Sequence, residues 1–285
     1  MSLEVFALVL LAAVMHAGWN FATRQVAGHM GVVWLGMWAS SIALLPGVIA
    51  VAWWCDLYAM LTWTGLACMV ATGLTHAIYF ILLSGAYEQG DFSVAYPIAR
   101  GSGVGLTSLG AWLLLGEQVS LTGGIGIAGI FCGIMVLGVP AFARAGGMRS
   151  IKFALGVGAT MVVYSLVDKI GVGIVHPVFY IWFMYFSGVL MLWPFVTRRY
   201  AGQLREIGRQ HRPYVLTIGL GSCATYLLIL LAYRLGPLSY IIALREFAVV
   251  VGAGLGFVFL KERLTAAKAV AIISIVAGLI CIKMG

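Results

Sequence analysis

Residues 98–115 read IARGSGVGLTSLGAWLLL, and residues 241–260 read IIALREFAVVVGAGLGFVFL. Each is an apolar run of membrane-spanning length with an arginine set inside it, Arg100 in the first and Arg245 in the second. A guanidinium at bilayer depth costs about 2.5–3.5 kcal/mol on insertion scales, and more on an isolated helix, so two of them require a reason. They point to a buried site for something anionic. The two arginines lie 145 residues apart in a chain that repeats itself at that spacing.

Composition places the chain in a bilayer. Charged residues make up 9% of it and hydrophobic residues 62%, where an ordinary soluble protein is about one quarter charged. At 1.5 Å per residue, about 20 apolar residues cross a ~30 Å hydrocarbon core. The 285 residues divide into ten such spans with short connections, at 3–23, 31–53, 61–87, 92–115, 120–140, 151–173, 178–197, 213–234, 238–260 and 266–284. Trp19 and Asn20 follow the first run, where a cleaved leader would have small residues, so that run is read as a span. No soluble domain remains once the spans are drawn. The five cysteines fall in or at the edges of spans without a CxxC or a clustered histidine, so they are read as small buried hydrophobes.

Internal repetition organises the spans. Laying residues 1–140 on 146–285 pairs Trp19 with Tyr164, Asn20 with Ser165 and Arg24 with Lys169, and, shifted by one residue, Ala86 with Ala232, Tyr87 with Tyr233 and Gly90 with Gly236. After a one-residue gap, Arg100 pairs with Arg245, Leu115 with Leu260, Glu117 with Glu262 and Gly133 with Gly278. Each half holds five spans, an odd number, so the halves must enter the membrane in opposite directions. The expected fold is all-α and integral to the membrane, ten transmembrane helices as a 5+5 inverted repeat with one repeat in 1–140 and the other in 146–285. That layout puts a binding site near the midplane, between the repeats.

Charge in the connections supplies orientation. One side carries twelve basic residues: Arg24, Arg144, Arg149, Lys152, Arg198, Arg199, Arg205, Arg209, Arg212, Lys261, Arg263 and Lys268. The other carries Lys169, Arg234 and Lys283. The positive-inside rule puts the first side in the cytoplasm and both termini in the periplasm of a bacterial-type inner membrane. The net charge of +8 is then a matter of topology, and no nucleic-acid partner is expected.

The segment MHAGWN at 15–20, the A-Y-x-x-G turns at 86–90 and 232–236, and the pairs Gly116-Glu117 and Lys261-Glu262 before the fifth and tenth spans resemble the drug/metabolite transporter superfamily, EamA type. The resemblance covers the whole chain. It implies ten helices around a central cavity lined by helices 1, 3, 4, 6, 8 and 9, with helices 5 and 10 as outer supports. It further implies transport of small metabolites, often outward. Lys261 departs from the pattern, since many relatives place glycine before that glutamate.

Helical spacing nominates the cavity residues. His16 and Asn20 are i, i+4 with Trp19 beside them, His76 and Tyr79 are i, i+3, and Tyr96 shares a face with Arg100 as Tyr164 does with Asp168. Tyr226 and Tyr233 lie two turns apart. Polar groups in a bilayer turn to the bundle interior. Arg100 and Arg245 are repeat mates and should meet there, with Glu246 as the acid placed deep in a span. If Glu246 pairs across to Arg100, Arg245 is left for a carboxylate or phosphate, which its fork can bind in bidentate fashion; the alternative is that both arginines are structural. His16 and His76 serve either proton coupling or hydrogen bonding between helices. Asp168 and Lys169 are expected at a solvated helix end, with a vestibule face as the alternative. Pro97 is expected to interrupt the fourth span. The glycines at 101, 103, 105, 123, 124 and 126 would allow close helix packing.

The reading that follows is a secondary transporter, an exporter of a small carboxylate-bearing metabolite such as an amino acid or amino-acid derivative, working by alternating access. Export of lipophilic cations or drugs is the rival. The candidate substrate-binding residues are Arg245, Arg100, Asn20, Trp19, His16, His76, Tyr79, Tyr96, Tyr164 and Tyr226, with Glu246 and Asp168 for charge pairing and coupling. Partners are an anionic or zwitterionic small molecule, membrane lipid and protons, for a monomer or homodimer. Neither a nucleophile–base pair nor a metal-ligand cluster stands out, so no enzyme, cofactor or metal site is expected.

Overall fold

The computed structural model describes residues 1–26, 29–88, 92–142, 148–261 and 264–285, without the side chains of 57–58, 84–88, 92–97, 139–142, 148–151 and 260. Of the residues used above, Gly90, Arg144, Glu262 and Arg263 lie outside the described residues, as do the side chains of Tyr87, Tyr96, Pro97 and Arg149. The helices in chain order are α1 (Leu3–Gln25), α2 (Met30–Trp54), α3 (Leu57–Met60), α4 (Trp63–Glu88), α5 (Phe92–Leu115), α6 (Leu121–Phe142) and α7 (Met148–Ile174). They continue with α8 (Pro177–Arg199), α9 (Leu204–Gln210), α10 (Arg212–Leu235), α11 (Leu238–Leu244), α12 (Phe247–Leu260) and α13 (Ala266–Met284). Taking α11 and α12 as one crossing, ten helical segments among the described residues are long and apolar enough to span a membrane.

The packing has a two-fold pattern. α4 and α5 both lie against α7, as α10 and the α11–α12 pair lie against α1. α4 meets α8 as α10 meets α2, and α5 meets α6 as α12 meets α13. The pairs α2 with α8 and α6 with α13 are their own mates. These are the contacts that an inverted repeat of five and five produces.

Two positions differ from the sequence reading. α5 runs through Pro97 without a break, and α2 and α8 likewise pass through Pro46 and Pro194. One lost backbone bond is tolerable where neighbouring helices cover the freed carbonyl. The interruption falls instead in the ninth span, between α11 and α12. There Glu246 N donates to Ala243 O at 3.0 Å, Ala248 N to Arg245 O at 3.1 Å and Val249 N to Glu246 O at 2.9 Å. These are three-residue closures in place of four-residue ones, so successive side chains diverge by about 120° instead of about 100°. Arg245 and Glu246 are thereby turned towards different neighbours. All seven residues of α11 are buried, which makes it the innermost helix.

The outer pair α6 and α13 is close because of glycine. A Cβ on Gly278 would stand 2.6 Å from the Gly126 carbonyl oxygen, and one on Gly126 2.6 Å from that of Gly278. These glycine faces are therefore taken up by packing within the chain. Gly278→Val should lower stability by about 1–3 kcal/mol, since backbone cannot give way. Gly252→Ala, with no atom within 4 Å of the new methyl, should change it by less than about 0.5 kcal/mol. Thermal unfolding in detergent distinguishes the two.

The repeat also explains Lys261. Gly116 has φ 67° and its mate Lys261 has φ 52°, so both helices end on a left-handed residue, a conformation that costs a side chain about 1–2 kcal/mol. Lys261→Gly should raise the unfolding temperature by the equivalent of about 1 kcal/mol.

Candidate substrate cavity

A cavity of about 1450 Å³, including its open mouth, lies among the central helices. From α1 come His16, Trp19 and Asn20, and from α4 His76 and Tyr79. Arg100 enters from α5, Tyr164 from α7, Tyr226 from α10 and Arg245 from the break after α11. The structure thus gathers nine of the ten nominated residues on one wall system, and the tenth, Tyr96, has its side chain outside the described residues. The lining is wider than the resemblance implies. α2 adds Met30, Val33 and Met37, and α8 adds Met184 and Tyr185. It comes from the C-terminal halves of α1 and α4 and the N-terminal halves of α2 and α5, and also from the middle of α7, the N-terminal half of α8, the C-terminal half of α10 and Arg245. The cavity wall therefore draws on both halves of the bundle.

The aromatic wall is built by helical stacking. His76 is held by Thr72, 3.1 Å to its hydroxyl and 2.9 Å to its carbonyl, and its ring lies 4.3 Å from Tyr164 and 5.5 Å from Tyr226. Tyr79 meets Tyr164 edge-on at 6.1 Å. Across the cavity His16 stands edge-on to Trp19 at 4.9 Å, and Asn20 Nδ2 donates to the His16 carbonyl at 2.7 Å.

The two arginines have different surroundings. Arg100 is paired with Glu246, Nε to Oε2 at 3.0 Å and Nη2 to Oε1 at 2.7 Å, with both side chains buried. Arg245 is 4% exposed. Its Nη2 reaches the Tyr164 hydroxyl at 3.5 Å, and its buried Nε has no partner. Glu246 thus neutralises the arginine contributed by the other repeat and not its own neighbour.

Asp168 and Lys169 require a correction. Asp168 is fully buried and accepts the hydroxyls of Tyr180, at 2.8 Å, and of Tyr226. It is not at a solvated end, because α4, α8 and α10 close over the last turns of α7. Lys169 turns away from it and donates to the carbonyls of Tyr233 and, at 2.8 Å, Gly236. Glu117 meets the same connection from the other side, accepting Ser239 N at 3.0 Å and Ser239 Oγ at 2.7 Å. Its carboxylate thereby caps the start of α11, where a helix favours an anion. The Gly116-Glu117 pair marked this position in the sequence without disclosing its partner. Tyr185, which donates to Ser222 at 3.0 Å, and the cavity methionines had no signal in the sequence, since neither differs in pattern from ordinary core.

Removing half of the buried pair isolates the other half. Glu246→Gln should cost about 3–5 kcal/mol of stability. Adding Arg100→Met to it should recover most of that loss, as measured by thermal unfolding.

Comparison with known proteins agrees with this architecture. Residues 148–284 match the family model described as EamA-like transporter family. Residues 38–130 match that of the Small Multidrug Resistance protein. No curated protein matches the chain. A solved structure named "Crystal structure of protein" has the same fold with a TM-score of 0.73 at 18% identity, over 98% of this chain and 97% of that one.

Proposed function

We propose, on the EamA-like match over residues 148–284 and the ten-span fold, that the chain is a drug/metabolite transporter of the EamA type that exports a small carboxylate-bearing metabolite, an amino acid or amino-acid derivative, by alternating access. The observation that carries the reading is Arg245, a buried guanidinium facing the cavity with its Nε unpartnered. Arg100 is already matched by Glu246, so the cavity keeps a positive charge that a carboxylate answers in bidentate fashion. Asn20, Trp19 and the tyrosines orient the rest of the cargo, and His16 and His76 are the imidazoles beside it. If protons are coupled, Asp168 is the group through which they act, since Tyr226 joins its carboxylate to the cavity wall; Glu246 is the other candidate.

In this reading the two repeats, 1–140 and 146–285, rock against each other around the cavity. The basic connections lie in the cytoplasm and the termini in the periplasm of an inner membrane. Export of lipophilic cations is the second reading, favoured by the multidrug-resistance match over 38–130. Against it, both acids nearest the cavity are covered, Glu246 by Arg100 and Asp168 by two tyrosine hydroxyls.

The test is thermal unfolding of the detergent-purified protein against amino acids, dicarboxylates, phosphorylated metabolites and lipophilic cations. A carboxylate ligand at a hundred times its Kd should stabilise by about 2.7 kcal/mol, and Arg245→Ala should abolish that gain. Stabilisation by cations alone, unchanged in Arg245→Ala, would favour the second reading. Normal transport by both Arg245→Ala and Arg100→Ala would overturn the first.

A further inference from the structure

The polar groups left unmatched on the cavity wall are mostly hydrogen donors. Arg245, Trp19 and Thr225 line the cavity, and Arg245 Nε, Trp19 Nε1 and the Thr225 hydroxyl are covered atoms without partners. No aspartate or glutamate lines the cavity among the described residues. The two nearest acids are each 0% exposed: Glu246 is held by Arg100, and Asp168 sits behind the hydroxyls of Tyr226 and Tyr180. Much of the remaining surface is apolar, with Met30, Met37, Met161 and Met184 contributing flexible, polarisable side chains.

An α-amino acid brings two charges, and this wall answers one of them. The carboxylate meets Arg245 and the neighbouring donors. The ammonium would lose its water, meet no carboxylate and stand near Arg245, each of which disfavours it. An acylated nitrogen removes the positive charge. Its N–H can be given to Asn20, whose Nδ2 is occupied by the His16 carbonyl while its Oδ1 remains an acceptor.

Resting on the carboxylate reading above, we propose that the cargo is a monoanionic organic acid with an apolar or aromatic body and no ammonium group, its nitrogen either acylated or absent. The site then discriminates by what it omits. A buried charge with no partner is rejected more strongly than a missing apolar contact.

Four compounds that share one ring system test this on the purified full-length protein, by isothermal titration and thermal shift: 3-phenylpropionate, N-acetylphenylalanine, phenylalanine and phenethylamine. The two acids without ammonium should bind about tenfold or more tightly than phenylalanine, and phenethylamine should not bind. Arg245→Gln should abolish binding of both acids. If phenylalanine binds as well as N-acetylphenylalanine and loses binding in Arg245→Gln, the present inference fails while the carboxylate reading stands. Binding of phenethylamine, or acid binding unaffected by Arg245→Gln, overturns both. Silence from both acids at millimolar concentration also counts against the inference. The wild-type order of affinities decides between these outcomes even if the variant does not fold.

Discussion

The central architecture depends on one buried ion pair. Arg100 belongs to the first repeat and Glu246 to the second, and their two contacts at 3.0 and 2.7 Å join α5 to the start of α12 inside the bundle. Neither charge could occupy its place without the other, because an unpaired ion in a low-dielectric interior carries a penalty of several kcal/mol. The pair also determines what Arg245 can be. With its adjacent carboxylate committed across the repeat boundary, it stays charged, buried and turned to the cavity.

The break between α11 and α12 makes that division possible. Two consecutive residues on a regular helix already point about 100° apart, and the tightened turn widens the angle. Glu246 is delivered to α5 while Arg245 is delivered to Tyr164 on α7. α11, buried on every side, holds the turn in place. An apolar helix enclosed by its neighbours can thus support a charged junction that would be costly on a lipid-facing segment.

What could be read from the chain beforehand follows from how loudly each feature differs from lipid. The spans were legible because charge is so sparse, and the arginines because they violate that sparseness. Glu246 as the partner of Arg100 was one of two open alternatives. Asp168 was misplaced because its position near the end of a span looks solvated in one dimension, and α4, α8 and α10 cover it only in three. Pro97 suggested a break on local chemistry, yet the real one at 245–246 arises from where two charges must point, which is a tertiary demand. The contributions of α2 and α8 to the cavity were invisible, since a methionine facing a cargo and one facing a neighbour have the same sequence signature.

The α10–α11 connection bears on electrical behaviour. Lys169 holds it by the carbonyl of Gly236, and Glu117 by the amide and hydroxyl of Ser239. One grip is cationic, the other anionic, and both close on the same few residues. A rearrangement that loosens this end displaces a positive and a negative group together, so the protein's own gating charge there sums to zero. Membrane voltage, at about 2.3 kcal/mol per charge per 100 mV, then finds no net charge to act on at this connection, in contrast to Arg245 in the cavity.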